Sequence, residues 1–275
     1  MILRPIPPAA PAGDAFVPAW EAILRTQQQE APDYWMIAQP DHAQLAGEIA
    51  AALKADWLPP LSAEAIAGIA AHDAGWAAVD ERLMREAAGP GHRPVPFLSV
   101  APEDASAVGL GSIERAEQLS PLGGLLVSLH FSRLAQYRLE GFGGLLHDPP
   151  HVQQRLREFL QRESQRRARL APLQPHSPDE IERLTDVLQL CDLISLYVCC
   201  GTRESIALPQ EFGSVRPRIV ASPPSAKLGR KGGAPSACRI EPTALARPLE
   251  LRVRATRWSD GTEENMAVVT LTLIV

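Results

Sequence analysis

From Ala38 to about Gly201, apolar residues recur with a helical period, and the pattern predicts helices over 41–55, 62–75, 119–138, 150–170 and 179–200. Pro40 and Asp41 mark the first start, and Pro59, Pro60 and Ser62 mark the second. The stretch 86–112 breaks the period with Gly89, Pro90, Gly91, Pro94, Pro96, Pro102, Gly109 and Gly111. It reads as a long ordered loop, and a loop of that length is expected to cover a site. Residues 248–258 and 266–275 alternate apolar and polar on either side of Ser259-Asp260-Gly261, which predicts a hairpin or small sheet. Pro and Ala dominate the first residues, so 1–30 reads as an irregular lead-in. The expected architecture is mainly α: a helical domain over 31–212 with 86–118 as an inserted loop or lid, and a small β-containing segment over 213–275 packed on it.

Polar residues that interrupt apolar stripes carry the chemistry. His42, Leu45, Ile49 and Leu53 share one helical face, so His42 begins a buried stripe. Ile66, Ile69 and Asp73 share another, which ends on a carboxylate with His72 beside it. Leu122, Leu126, His130 and Leu134 step by four and put a His in mid-stripe. Asp192 is the single charged residue of 187–200, with Leu188 one turn before it and Ser195 about one turn after.

An unpaired carboxylate in an apolar interior costs several kcal/mol. Neither Asp73 nor Asp192 has a Lys or Arg on its own stripe. A buried His is commonly a hydrogen-bonded core residue, and a buried Asp commonly a helix cap. Five such residues in the order His, His-Asp, His, Asp instead suggest carboxylates and imidazoles around a divalent cation of mixed nitrogen and oxygen ligation.

Composition bounds the function classes. The chain has 275 residues, 45% hydrophobic but only 5% aromatic, which favours helices over a β-sandwich. Its net charge of −5 argues against a nucleic-acid or membrane-surface partner. The charge is uneven: 17 basic and 27 acidic residues precede position 213, while 10 basic and 5 acidic follow. Segment 216–239 holds Arg216, Arg218, Lys227, Arg230, Lys231 and Arg239 without an acid, a candidate surface for an anionic substrate. Cys191, Cys199, Cys200 and Cys238 show neither a disulfide framework nor a zinc knuckle, so they are expected to be reduced and the protein cytoplasmic. No signal peptide or bilayer-spanning run is expected. A homo-oligomer is compatible with all of this.

The order His42, His72-Asp73, Asp192 resembles the HD superfamily of helical metal-dependent phosphohydrolases. The strings Gln39-Pro40-Asp41-His42, His72-Asp73-Ala74-Gly75-Trp76, Leu126-Val127-Ser128-Leu129-His130 and Asp192-Leu193-Ile194-Ser195-Leu196 are closer still to one HD-like bacterial family of unknown function. The resemblance spans roughly 30–205. It implies that His42, His72, Asp73 and Asp192 ligate one or two divalent ions (Mn, Fe, Mg, Co or Ni), with Asp73 able to bridge. Such an ion acidifies a water and polarises a phosphoryl oxygen. His130 is then a ligand of a second ion or an acid for the leaving group, and Arg133 a phosphate contact. The implied activity is hydrolysis of a small anionic phosphoester or nucleotide-like molecule. Two alternatives stand beside it: a di-iron oxygenase drawing on His130 and His92, and a non-catalytic HD-like binding or scaffold protein.

Overall fold

A computed structural model describes residues 1–6, 15–89, 91–141, 148–221, 236–259 and 268–275. The chain is mainly α-helical with a β-sheet appendage. The helices are α1 (Ala19–Gln27), α2 (Gln39–Ala52), α3 (Ala63–Ala70), α4 (Ala77–Ala87), α5 (Pro102–Leu119), α6 (Pro121–Leu139), α7 (Pro150–Leu170) and α8 (Pro178–Cys200). The strands are β1 (Ile2–Ile6), β2 (Val17–Pro18), β3 (Asp33–Ile37), β4 (Ile206–Ala207), β5 (Arg218–Ala221), β6 (Ser236–Glu241), β7 (Glu250–Ser259) and β8 (Val268–Ile274). They form one sheet in the order β1-β3-β7-β8-β6-β5-β4-β2.

The five predicted helices are present, with ends shifted by up to five residues. The second differs in a way that shapes the site. The helix expected over 62–75 stops at Ala70, and Ala71 at φ −102°, ψ 0° and Asp73 at φ −114°, ψ 21° lead into a short 3₁₀ turn, Ala74–Trp76. His72 and Asp73 therefore sit on a turn rather than on a helix, with Ala71 and Asp73 in the sparsely populated bridge region.

The lead-in expectation is overturned: 1–30 contains β1 and α1, and Ile2, Ala19, Ala22 and Ile23 lie in the main core. β1 pairs antiparallel with β3, with Leu3 opposite Met36 and Pro5 opposite Tyr34. The other edge of Leu3 is closed by Gln27: its Nε2 donates to the Leu3 carbonyl at 2.6 Å and its Oε1 accepts the Leu3 N–H at 3.0 Å. One amide side chain thus stands in for a neighbouring strand on an edge that would otherwise be open. Pro5, two residues on, faces that same outer edge, where its missing N–H breaks no ladder bond.

The loop expected over 86–112 is shorter. α4 runs to Ala87, a 3₁₀ turn occupies Phe97–Ser99, and α5 begins at Pro102. Pro102 starts the helix at its first turn, where a missing N–H is harmless. The glycines after it serve close packing: a Cβ on Gly109 would touch the Phe131 ring at 3.4 Å, and one on Gly111 would stand 3.3 Å from Gly75 Cα.

At the C-terminal end, β7 and β8 pair antiparallel as the alternation predicts, from Glu250 opposite Ile274 to Thr256 opposite Val268. Leu251, Val253 and Ala255 face inward and join the helical core. Asp260 and Gly261, and the centre of the basic segment, lie outside the described residues. At its ends, Arg216 pairs with Glu211 at 2.7 Å, while Arg218 and Arg239 both reach Glu241.

α2, α3, α6 and α8 pack around the site. α8 starts with a capping box, Ser177 with Glu180, and ends on Gly201 in the left-handed region at φ +73°. Its apolar run is buried on all sides, because α1, α2 and α6 and the strand β1 cover it. α3 and α6 cross closely, since a Cβ on Gly68 would stand 2.9 Å from Gly123 Cα. That approach brings the end of α3, with His72, near His130 on α6. No helix among the described residues is long and apolar enough to cross a membrane.

Candidate metal centre

His42 lies in the first turns of α2, whose leading N–H, that of Gln39, donates to the buried Asp80 carboxylate at 2.6 Å. His72 and Asp73 follow α3 on the turn, His130 is mid-α6 and Asp192 mid-α8. The turn is pinned to α5, where the Gly75 N–H donates to Ser112 Oγ at 2.9 Å. A Cβ on Gly75 would stand 2.1 Å from the Val108 carbonyl oxygen, so this position accepts no side chain.

These elements gather two donor sets that share His72. His42, His72 and Asp73 form one, and His72, His130 and Asp192 the other; within each, one ligand atom per residue lies within 4.8 Å of the others. His42 and His72 are fully buried, and His130, Asp192 and Asp73 are 2%, 4% and 7% exposed. Asp73 is thus the most open of the five. The rings of His42 and His72 meet edge-on at 5.0 Å, as do those of His72 and His130 at 5.4 Å.

The proton inventory decides what fits between them. His72 Nδ1 lies 2.8 Å from the Ile69 carbonyl oxygen. A carbonyl only accepts, so Nδ1 carries a proton, and Nε2 is the nitrogen that turns inward and offers its lone pair when the ring is neutral. That Nε2 is buried without a hydrogen-bond partner. It faces Asp192 Oδ1 at 3.4 Å and Asp73 Oδ2 at 3.7 Å, close as charges but poorly aligned as acceptors. His130 Nδ1 is also buried without a partner. His42 Nε2 meets Asp73 Oδ2 at 2.9 Å, and its Nδ1 meets Ser195 Oγ at 2.8 Å. Among the described residues, the cationic groups within ion-pair distance of Asp73 and Asp192 are imidazoles alone. Imidazole nitrogens and carboxylate oxygens gathered at a buried site, with a histidine anchored through its far nitrogen by a backbone carbonyl, are what a divalent ion requires. The residues fit the group.

The electrostatics agree. Burial alone would keep His72 neutral, but Asp73 and Asp192 outweigh it and raise its pKa to about 9. Burial would raise Asp192, yet His72, His130 and His42 together bring it down to about 2. His130 goes the other way: burial dominates and lowers it to about 4, leaving a neutral imidazole at neutral pH. Asp192 thus brings negative charge to a buried site, and His72 supplies the balancing proton when nothing else does.

All five proposed ligands come together here. Arg133 does not join them: its guanidinium is held on α8 by Asp186 and Gln189, each at 2.8 Å, and by Glu182. His92 is exposed and lies apart from both donor sets. Ser195 is the participant that stripe reading passes over. Its only sequence signal is the Asp192-x-x-Ser195 spacing, which puts both on one face of α8. The four cysteines are free and buried, and burial raises Cys199 and Cys238 to about 12.

No curated protein and no solved structure matches the chain. Residues 23–242, most of the chain, match the model of a family described as a protein of unknown function, DUF3891, and the chain belongs to that family.

Proposed function

We propose that this is a metal-dependent hydrolase of the HD type, acting on a small anionic phosphoester or nucleotide-like molecule in the cytoplasm. The observation that carries the reading is the buried, partnerless Nε2 of His72 facing both carboxylates. His42, His72, Asp73 and Asp192 would hold the ion, and His130 with a shared carboxylate would help to hold a second. A divalent ion in such a site supplies Lewis-acid polarisation of a phosphoryl oxygen and a water acidified towards neutral pH.

The remaining roles belong to the chain. Asp73, the most open of the cluster, marks the side from which substrate approaches. His72 is oriented by the Ile69 carbonyl and cannot turn its lone pair elsewhere. His130, neutral at physiological pH, suits ligation or proton acceptance better than donation to a leaving group. Arg133, committed to three α8 side chains, leaves phosphate contact to other groups. The same second donor set would also serve a di-iron oxygenase, without His92.

Elemental analysis of freshly purified protein tests the reading, followed by a phosphoester panel with the loaded protein. One or two equivalents of Mn, Mg, Co or Ni, and phosphate release lost in Asp73→Ala, are expected. Two equivalents of iron with oxygen consumption would move the assignment to the oxygenase. No metal under any loading condition would end both.

A further inference from the structure

The two inward-facing histidines of the first donor set are anchored differently. His72 Nδ1 faces the Ile69 carbonyl at 2.8 Å, which admits only one proton arrangement. His42 Nδ1 faces the Ser195 hydroxyl at 2.8 Å, and a hydroxyl both donates and accepts. Ser195 is fully buried, and its Oγ also lies 2.8 Å from the Asp192 carbonyl oxygen, three residues back on α8. Its one proton therefore has two acceptors in reach: His42 Nδ1 and the Asp192 carbonyl.

We propose that Ser195 is a positioning residue that lets His42 move its ring proton between Nε2 and Nδ1, so that one ring serves Asp73 in the metal-free protein and an ion in the loaded one. This rests on the metal-site reading above. In the metal-free state Nε2–H donates to Asp73 Oδ2, across the observed 2.9 Å, and Ser195 donates to Nδ1. In the loaded state Nδ1–H donates to Ser195, whose hydroxyl rotates to the Asp192 carbonyl, and the Nε2 lone pair is released. The ring holds one proton and the hydroxyl holds one in both states, with exchange through solvent, so nothing is gained or lost. Both ring nitrogens of His42 and the Ser195 hydroxyl are satisfied both times. A carbonyl in place of Ser195 would forbid the first state, and an alanine would leave Nδ1–H unpaired in the second. His72 is thus the fixed ligand and His42 the convertible one.

The test is long-range ¹H–¹⁵N NMR on the histidine-labelled full chain at mildly alkaline pH, with and without zinc as a diamagnetic probe suited to imidazole and carboxylate ligands. His42 is expected to carry its proton on Nε2 without zinc and on Nδ1 with it, while His72 keeps Nδ1–H throughout. In Ser195→Ala, zinc affinity should fall by about 10- to 100-fold, the range for lost outer partners of a metal-bound histidine. The His72 signal should not change in that variant. The proposal is overturned if His42 shows the same tautomer with and without zinc, or if Ser195→Ala binds zinc like the parent. Zinc binding without a tautomer change defeats Ser195 alone, whereas no zinc binding by the parent defeats the metal site as well.

Discussion

His72 Nε2 stands 3.4 Å from Asp192 Oδ1, joining the turn after α3 to the middle of α8. The contact leaves the nitrogen without a hydrogen bond and leaves the carboxylate dependent on imidazoles for its charge balance. Asp192→Asn keeps the shape and removes the charge. Metal affinity, measured by titration calorimetry, should fall by more than about 100-fold, since even outer-shell changes reach that range. Retention of full metal content by Asp192→Asn would show that Asp192 is structural.

Removing the ion should lower stability. A ligand held only by the folded state at 100 times its Kd contributes about 2.7 kcal/mol. For a chain of this size that corresponds to a shift of several degrees in Tm. Thermal melts with and without chelator should therefore differ in the parent protein and coincide in Asp73→Ala. Equal melts for the parent would mean that no ion is held at these residues.

Gly75 carries no donor side chain, yet it should matter to the site. A Cβ there would meet the Val108 oxygen at 2.1 Å and the Ser112 nitrogen at 2.6 Å, both backbone atoms. Gly75→Ala must push the turn away from α5, at a cost of about 2 kcal/mol, typical of overpacking. Asp73, two residues earlier, moves with it. Urea denaturation should show the loss, and metal affinity should drop as well. Unchanged affinity would mean that the turn yields without moving Asp73.

The stripes of α2, α6 and α8 were readable because a 3.6-residue period survives without tertiary information. So were the five candidate ligands, since His42, Asp73, His130 and Asp192 fall on such stripes and His72 adjoins one. What escaped is chemistry that depends on partners far along the chain. β1 is hidden by Pro5, which an edge strand tolerates when its nitrogen faces away from the ladder. α5 is hidden by Pro102, Gly109 and Gly111, which locally signal a loop but serve as a helix start and as packing clearances against Phe131 and Gly75. The early end of α3 at Ala70 has no mark in the apolar spacing, which runs on through Asp73. Arg133 looked free because its acids, Glu182 and Asp186, come from another helix.

The Gln27 amide closes the outer edge of β1 through Leu3. Gln27→Leu preserves volume but strands a buried N–H and a buried carbonyl. Each unsatisfied group costs about 1–3 kcal/mol, so a loss of about 3 kcal/mol is expected. Equilibrium denaturation measures it directly. A change below about 1 kcal/mol would mean that water replaces the amide at this edge.

Asp148 and Arg138 form a two-point ion pair between the end of α6 and the start of α7, with Nε–Oδ2 at 2.6 Å and Nη2–Oδ1 at 2.9 Å. The Arg138 hydrogen bonds hold the Asp148 carboxyl below its usual value, against a smaller opposing effect of burial. A carboxyl whose folded pKa is depressed adds stability above its unfolded pKa of about 3.9 and loses it as pH falls through the folded value. Both side chains keep some solvent contact, at 13% and 28% exposure, so the contribution belongs near about 1 kcal/mol rather than at the strength of a buried pair. Asp148→Asn should therefore be less stable than the parent by about that much near neutral pH, with the gap closing as pH falls through the depressed pKa of Asp148. Denaturation midpoints at neutral and acid pH decide it: a gap that persists in acid would place the effect in packing instead of charge.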